Sequence, residues 1–392
     1  MGAELHVCPR PHDLWRQQRG AEKRHRQAVV WDVTGMSFQT TPIVTGDTYE
    51  MAHRFAREVE QELAGIADPA AQAAILEQRW AQLTALGWTA TAIPEEAGGA
   101  GGDLAELAAL VGGAGRAGLA LPIASACGVV PALLAGQAAL ADLACGAMRV
   151  AVILPGAAQD DAADALRGGA ALEGAVVGIE TPPSPTHLLI VLQAPEPLLL
   201  LVPVSTPGIE SASYLRIDGR IASDFRFAAL PIDPAWILAR GPAVLQRAAA
   251  ARDLGALLTC IECVSAMGAL LEQTIQYLLN RVQFGAPLAS YQALRHRVAD
   301  IYVEYESLRG ITALALRAAA QGEGEPWQAI AFAKLRLGEA GRAVAESAIQ
   351  AHGGMGMTEE LPAIRLCKRL MMADFEYGNR VFQAARLLAD AA

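Results

Sequence analysis

The chain has 392 residues, of which 53 % are hydrophobic and 18 % are charged. This composition excludes a mainly disordered protein, because disordered chains are rich in charge and poor in apolar residues. Lys and Arg total 31 against 41 Asp and Glu, which gives a formal net charge of −10 and argues against non-specific nucleic-acid binding. At about 150 residues per domain, the length predicts two or three domains.

The N-terminal segment differs from the rest of the chain in composition. Residues 1–36 contain six basic and four acidic residues but lack the apolar segment of a secretory signal. We expect residues 1–45 to be a disordered extension, or to follow from an upstream start codon with Met36 as the natural beginning, and we expect the protein to be cytoplasmic. We also expect no membrane span, because prolines and a glutamate interrupt the apolar stretch Leu188–Val204.

Residues 46–146 have the periodicity of helices. Apolar residues recur every three or four positions over Tyr49–Ile66 and Ala70–Leu86, and Asp103 can cap a further helix that starts at Leu104. This region is therefore predicted to be a helical domain.

Residues 147–238 change to a period of two, with Pro and Gly between the apolar runs. Short strands without intervening helices predict a small antiparallel β-barrel or sandwich. The predicted strands are Arg149–Leu154, Gly174–Ile179, His187–Leu192, Leu198–Val204, Ser213–Ile217 and Ser223–Phe227.

Residues 239–392 return to a helical pattern. Apolar residues spaced by four and three positions from Leu294 to Leu308 are typical of a helix in a bundle. A second long helix is predicted over Trp327–Gln350, and a final one over Asn379–Ala391. The fold class is therefore α+β: an N-terminal helical domain, a β-domain and a C-terminal four-helix bundle.

Two short motifs resemble ligand sites without their expected context. Gly113–Gly118 matches the dinucleotide-binding pattern GxGxxG, but it follows a helix instead of a strand, so we interpret it as a helix end and a turn. Cys260 and Cys263 form a CxxC, but no second pair and no nearby His accompany them. We interpret them as buried thiols of a helix, and we predict no metal site.

Two other motifs carry groups suited to a phosphorylated, aromatic ligand. Arg281–Gly285 combines a guanidinium, an amide and an aromatic ring at a helix end, although a simple helix end capped by Gly285 would use the same residues. Gln350–Thr358 contains three glycines after a long helix, which permits close approach of the backbone to a ligand.

These motifs together resemble the acyl-CoA dehydrogenase family. Arg281–Gly285, Tyr291–Gln292 and Gln350–Gly356 are similar to motifs of its C-terminal bundle, and the glycine-rich loop Pro94–Gly102 is similar to a loop of its N-terminal domain. The resemblance spans about residues 47–392 in the family's order. It implies FAD-dependent dehydrogenation of an acyl-CoA thioester between Cα and Cβ, with a carboxylate as the base.

The resemblance also implies which residues contact FAD. Arg281 would contact the pyrophosphate, Gln283 and Phe284 would line the same cofactor, and Gln292 would lie close by. The ADP half would lie along three further residues, Gln350, Gly353 and Gly354. In the family the cofactor reaches a neighbouring subunit's bundle, which implies a homo-oligomer or a hetero-oligomer with a related subunit. An electron-transfer flavoprotein is the candidate electron acceptor.

The chain departs from the family at the catalytic base. Tyr377 stands at the usual base position, and Glu376 lies one residue earlier, so we take Glu376 and Tyr377 as the candidate catalytic residues. In some members the base comes from the first bundle helix, at the position of Gly255, where Asp253 and Glu262 are the nearest carboxylates.

The β-domain and the CoA contact depart as well. The family's Thr-Glu-Pro segment is absent, and Ala256 stands where an Arg often meets CoA, with Arg252 one turn earlier. The string Leu172–Val191 resembles a divergent bacterial branch that includes subunits of hetero-oligomeric enzymes. Two alternatives to an active dehydrogenase follow: a non-catalytic partner subunit of such an enzyme, and a relative of the flavin monooxygenase or nitroalkane oxidase type.

Overall fold

The computed structural model describes residues 38–155, 171–193, 196–322 and 325–390. The helices, numbered in chain order, are α1 (Asp47–Leu63), α2 (Pro69–Ala85), α3 (Leu104–Ala117), α4 (Val130–Leu133), α5 (Ala139–Ala144), α6 (Pro242–Asn280), α7 (Gln292–Gln321), α8 (Pro326–His352), α9 (Pro362–Met372) and α10 (Arg380–Asp390). The strands are β1 (Val150–Ile153), β2 (Ala171–Glu180), β3 (His187–Leu192), β4 (Leu198–Pro203), β5 (Ile209–Leu215), β6 (Ile221–Pro231), β7 (Ile237–Arg240), β8 (Val282–Gln283) and β9 (Ala286–Pro287).

The predicted extension lies mostly outside the described residues, but its last part is described. The backbone amide and Oγ1 of Thr40 donate to Oε1 of Glu272 in α6, at 2.5 and 2.7 Å. The hydroxyl of Tyr305 in α7 donates to the carbonyl of Thr41 at 2.7 Å. Residues 40 and 41 are therefore fixed to two helices of the bundle, so this part of the predicted extension belongs to the fold.

The glycines of the GxGxxG motif allow helices to pack closely, which explains the motif without a ligand. Helix α3 continues to Ala117, so the motif lies within it, and Gly118 ends the helix with a left-handed φ of 77°. A Cβ at Gly115 would lie 2.6 Å from the backbone oxygen of Glu262 in α6, and one at Gly113 would overlap the carbonyl of Tyr49 in α1. The helix was expected to end before the motif, at Val111, and it ends six residues later, at Ala117.

Among the described residues, the β-region has two sheets, in the orders β1-β3-β4-β7 and β2-β6-β5. Within these residues the sheets do not close into a barrel, so the predicted barrel is not confirmed. The antiparallel prediction is also incomplete, because β1 pairs parallel to β3, with Val150 opposite His187. This parallel pair arises because β2, which lies between the two strands in the chain, belongs to the other sheet.

The central strands of the first sheet are apolar at nearly every position because both of their faces are covered. In β3, Leu188 and Ile190 pack against the second sheet with Phe225. Leu189 and Val191 face the opposite way, towards helices α4 and α6. A continuous apolar run is the expected sequence of such a doubly covered strand.

Helix α6 lies at the core of the C-terminal region and, with 39 residues, is the longest helix of the described residues. It is long and apolar enough to span a membrane by composition, but 94 % of its most apolar window is buried within the protein. It contains Cys260 and Cys263, which the sequence predicted to be thiols buried in a helix. Burial also raises the pKa of the Cys260 thiol of this helix to about 12, as expected of a structural cysteine.

Candidate active site

The Arg281–Gly285 motif forms a small hairpin. Helix α6 ends at Asn280 with Arg281 as its C-cap, and β8 then pairs with β9. The two turn residues, Phe284 and Gly285, have φ values of 53° and 81°. Two-residue hairpins of this kind require positive φ at both positions, which Phe adopts only at a cost of about 1–2 kcal/mol. Gly285 is therefore a turn residue and not the helix cap that one interpretation expected.

Tyr291 supports this hairpin from the start of α7. Its hydroxyl donates to the carbonyl of Gln283 at 3.1 Å, and its ring meets the edge of the Phe284 ring at a centroid distance of 6.3 Å. Phe284 is nevertheless 91 % exposed. A strained aromatic residue held out into solvent is typical of a contact surface and gives no core stability.

The hairpin and the start of α7 present polar side chains at the surface, although Nε2 of Gln283 donates to the carbonyl of Val282 at 2.7 Å. Arg281, Gln283 and Gln292 are all exposed. Within the part of the chain that the structure describes, the Arg281 guanidinium has no ion pair and no hydrogen bond. An unpaired guanidinium beside exposed side-chain amides suits a phosphate group.

The second motif lies where α8 ends at His352. Each of its three glycines has a different environment. Gly353 has a left-handed φ of 61°, and a Cβ at Gly356 would overlap the carbonyl of Ile349, so the turn itself requires both. A Cβ at Gly354 would meet no atom within 4 Å. The fold therefore does not explain Gly354, and its backbone is open to a ligand, as is the exposed side chain of Gln350.

Tyr277, which the sequence analysis overlooked, joins the two motifs. Its hydroxyl donates to the carbonyl of His352 at 3.2 Å, and the two rings lie 4.6 Å apart. Tyr277 precedes Arg281 by one helical turn, and both line an open cleft of about 490 Å³ together with Pro362. An aromatic residue four positions before the motif's Arg was the available signal. The arrangement brings the predicted cofactor residues to one end of the bundle.

The candidate base Glu376 lies in a buried group of charges. Its carboxylate accepts hydrogen bonds from Arg369 at 2.9 and 2.7 Å and from Arg216 at 2.9 Å. Burial alone would raise the pKa of Glu376, but the two guanidinium charges outweigh burial and hold this pKa below its usual value. A carboxylate stabilised in this way is a weak base. Its catalytic role stays a prediction, which these contacts disfavour.

Glu376 belongs to a larger set that we name the arginine–carboxylate cluster. Its members come from the β-region, from α6 and α9, and from the loop before α10. Arg220 bonds Glu262 and also Glu180, the latter at 2.8 Å, and Arg369 bonds Glu262 at 2.7 and 2.9 Å. The cluster consists of Glu180, Arg216, Asp218, Arg220, Glu262, Arg369 and Glu376.

Tyr377, at the family's base position, has a different environment from its neighbour Glu376. Its φ is 52°, and its ring lies against α6 at Gly255, where a Cβ would be 2.5 Å from Cδ1 of the tyrosine. Burial raises the pKa of Tyr377 above its usual value, so the phenol stays protonated at neutral pH.

The other two candidate bases are also paired with arginines. Asp253 accepts two hydrogen bonds from Arg386 in α10, at 2.6 and 2.9 Å. Glu262 bonds both Arg220 and Arg369, as described above. All three candidate carboxylates of this chain are therefore occupied by guanidinium partners within the described structure.

Comparison with known proteins identifies the family. The sequence-family model of the acyl-CoA dehydrogenase N-terminal domain matches residues 46–142, and the family model of the C-terminal domain matches residues 245–390. Acyl-CoA dehydrogenase IpdE2 of Mycobacterium tuberculosis is 34 % identical over 284 residues, which are 70 % of this chain and 74 % of that protein. The chain belongs to the acyl-CoA dehydrogenase family. This family consists of flavoprotein oxidoreductases.

Solved structures give the same fold. A variant of the steroid ACAD Tcur3481–Tcur3483 aligns with a TM-score of 0.72 and 25 % identity, over 88 % of this chain and 98 % of that one. The ChsE4–ChsE5 complex of Mycobacterium tuberculosis aligns with the same TM-score and 21 % identity, over 90 % and 99 %. The predicted family resemblance is confirmed, and the departures at the base position therefore occur within a true family member.

Proposed function

We propose that this chain takes part in the FAD-dependent α,β-dehydrogenation of an acyl-CoA thioester. The observation that supports the proposal is the unpaired Arg281 hairpin beside the open Gly354 turn, both at one end of the bundle. The donor chemistry fits the cofactor, because a free guanidinium and exposed amides suit a pyrophosphate and a bare glycine backbone suits close approach. When bound, FAD supplies the site with an acceptor for the hydride from Cβ.

The roles of this chain's own residues follow from their positions. Arg281 would bind a phosphate, and Gln283 and Gln292 would add amide contacts. Phe284 would present an exposed ring to the cofactor or to the subunit that holds it. Because the hairpin points into solvent, these contacts would serve a cofactor shared across a subunit boundary, which supports an oligomer.

A second candidate function is that of a partner subunit without its own base. The observation that favours it is the pairing of Asp253, Glu262 and Glu376 with arginines, while Tyr377 stands at the base position. In such an assembly this chain would contribute cofactor contacts, and a related subunit would remove the Cα proton. The names of the structural neighbours mention a steroid ACAD and a two-component complex, which support a bulky acyl group and a hetero-oligomer.

The test uses the purified full-length protein alone and after co-expression with related subunits from its own genome. Absorbance near 450 nm measures flavin, light scattering measures the oligomer, and bleaching by a panel of acyl-CoA thioesters measures dehydrogenation. A yellow homo-oligomer that bleaches supports an active dehydrogenase. A protein that bleaches only in a hetero-oligomer supports the partner role. Failure of every assembly to bind flavin contradicts both.

A further inference from the structure

Residues Ala373–Gly378, which we name the Tyr377 loop, hold two consecutive side chains in different parts of the structure. The carboxylate of Glu376 lies in the arginine–carboxylate cluster, where it meets Arg216 of the region after β5 and Arg369 of α9. The ring of Tyr377 lies on α6 at Gly255. The loop therefore connects the β-region to the bundle.

The loop is anchored at its start by a buried lysine. Lys334 of α8 donates its ammonium protons to the carbonyls of Ala373 and Asp374, at 2.8 and 3.1 Å. At the other end, Nε2 of Gln383 donates to the carbonyl of Tyr377 at 3.2 Å. Between these anchors, Glu376 supplies the side-chain contacts to the β-region.

The conformation of Tyr377 needs such anchors. A non-glycine residue with a φ near 50° is strained relative to ordinary backbone, so a loop without these contacts would leave this conformation. The hydrogen bonds of Glu376, one residue earlier, hold the backbone in place and oppose a change of φ at Tyr377. The hydrogen bond from Gln383 restricts the residue on its other side.

We propose that Glu376 is a positioning residue: its carboxylate, held by Arg369 and Arg216, fixes the loop so that the Tyr377 ring lies on Gly255. This role rests on the proposed function, because Tyr377 stands at the position of the base in that reaction. It does not require Glu376 to accept a proton.

Glu262 provides the matched control, because it shares the Arg369 guanidinium but lies within helix α6. Loss of its carboxylate weakens the same cluster. Its backbone, however, is held by the helix and by the contact with Gly115 of α3, so the Tyr377 loop keeps its own anchors. A general weakening of the cluster and a specific release of the loop can therefore be separated.

The experiment is ¹⁹F NMR of the full-length protein labelled with 3-fluorotyrosine. The chain has seven tyrosines, and the Tyr377 resonance is assigned by its loss in Tyr377→Phe. We expect Glu376→Gln to shift or broaden the Tyr377 resonance and to leave the others in place. We expect Glu262→Gln to leave the Tyr377 resonance at its wild-type position. Arg216→Gln is the second variant, with the same expected shift, in case Glu376→Gln does not fold.

An unchanged Tyr377 resonance in either Glu376→Gln or Arg216→Gln would overturn the proposal. An equal displacement in Glu262→Gln would also overturn it, because the effect would then belong to the cluster as a whole. The measurement uses neither flavin nor acyl-CoA. A protein that binds no flavin can still show the expected shift, so failure of this inference and failure of the proposed function are distinguishable.

Discussion

Two arginines of the C-terminal region show how the same side chain serves ligand and fold. Arg281 is exposed and its guanidinium has no partner among the described residues, whereas Arg369 is 3 % exposed and lies between Glu262 and Glu376. Arg281 stands at the end of helix α6, and Arg369 binds the loop that contains Glu376. The difference lies in whether the protein has already satisfied the guanidinium's hydrogen bonds.

This difference also decides which carboxylates can do chemistry. A carboxylate that accepts several hydrogen bonds from arginines stays ionised, and its proton affinity falls. Glu376 is in this state, although it lies within one residue of the family's base position. Sequence position therefore identifies the neighbourhood of the reaction, and the partners of each group decide its role there.

The largest effect is expected when the buried arginine is removed. Arg369→Met leaves Glu262 and Glu376 buried without this partner, and loss of one member of a buried ion pair costs about 3–5 kcal/mol. Urea denaturation should show this loss in the free energy of unfolding. Arg240→Met is the control, because Arg240 and its partner Glu196 are both about half exposed. An equal loss in the two variants would contradict the contrast between buried and exposed arginines.

The exposed arginine should matter for the ligand and not for the fold. Arg281→Ala removes a charge-assisted contact to phosphate, worth about 1.5–3 kcal/mol, so FAD should bind about 10- to 150-fold more weakly. Titration with FAD, followed by fluorescence, measures the affinity. Circular dichroism should show an unchanged helix content. Unaltered FAD affinity would refute the assignment of Arg281 to the cofactor.

Because Tyr377 contacts Gly255, we expect the effect of Gly255→Ala on the free energy of unfolding to change sign when the tyrosine ring is removed. Gly255→Ala places a methyl group against the tyrosine ring, and overpacking of this kind costs about 1–3 kcal/mol. In a Tyr377→Ala background the space is free, and the same substitution should stabilise helix α6 by about 1 kcal/mol. The free energy of unfolding is measured for the wild type, the two single variants and the double variant, which together form a double-mutant cycle. A Gly255→Ala effect of the same sign in both backgrounds would exclude the contact.

The smallest effect concerns pH. Glu376 has a folded pKa below its unfolded value of about 4.3, so its stabilising contribution is complete above that value and is lost as the pH falls towards the folded pKa. The stability gap between wild type and Glu376→Gln should therefore be constant from about pH 7 to 5 and narrow below that.

Glu180 gives the opposite slope and serves as the comparison. Burial raises the pKa of Glu180, so its contribution is present at low pH and is lost as the pH rises through its folded pKa. The gap between wild type and Glu180→Gln should narrow as the pH rises. Urea midpoints across the pH series measure both gaps. If the stability gaps of the two variants changed with pH in the same direction, the opposite pKa shifts of Glu376 and Glu180 would be contradicted.

Elements with strong periodicity were predictable from the sequence, and elements with mixed exposure were not. The predicted strand His187–Leu192 has the bounds of β3, and the predicted helix Trp327–Gln350 differs from α8 by one or two residues at each end. Strand β5 was placed too late, because most of its residues are exposed and carry little alternation. Helix α9, which carries Arg369, was not predicted at all.

The order of the regions, most of the helices and strands, and the two motifs near Arg281 and Gly354 could be predicted from the sequence. These features depend on local periodicity and on short spacings, which one chain segment contains. The tertiary structure alone decided that Glu376 meets Arg369 and Arg216, and that Tyr377 lies on Gly255. Arg216 is 160 residues from Glu376 in the chain. The proton affinity of a buried carboxylate depends on such distant charges, and no local pattern records them.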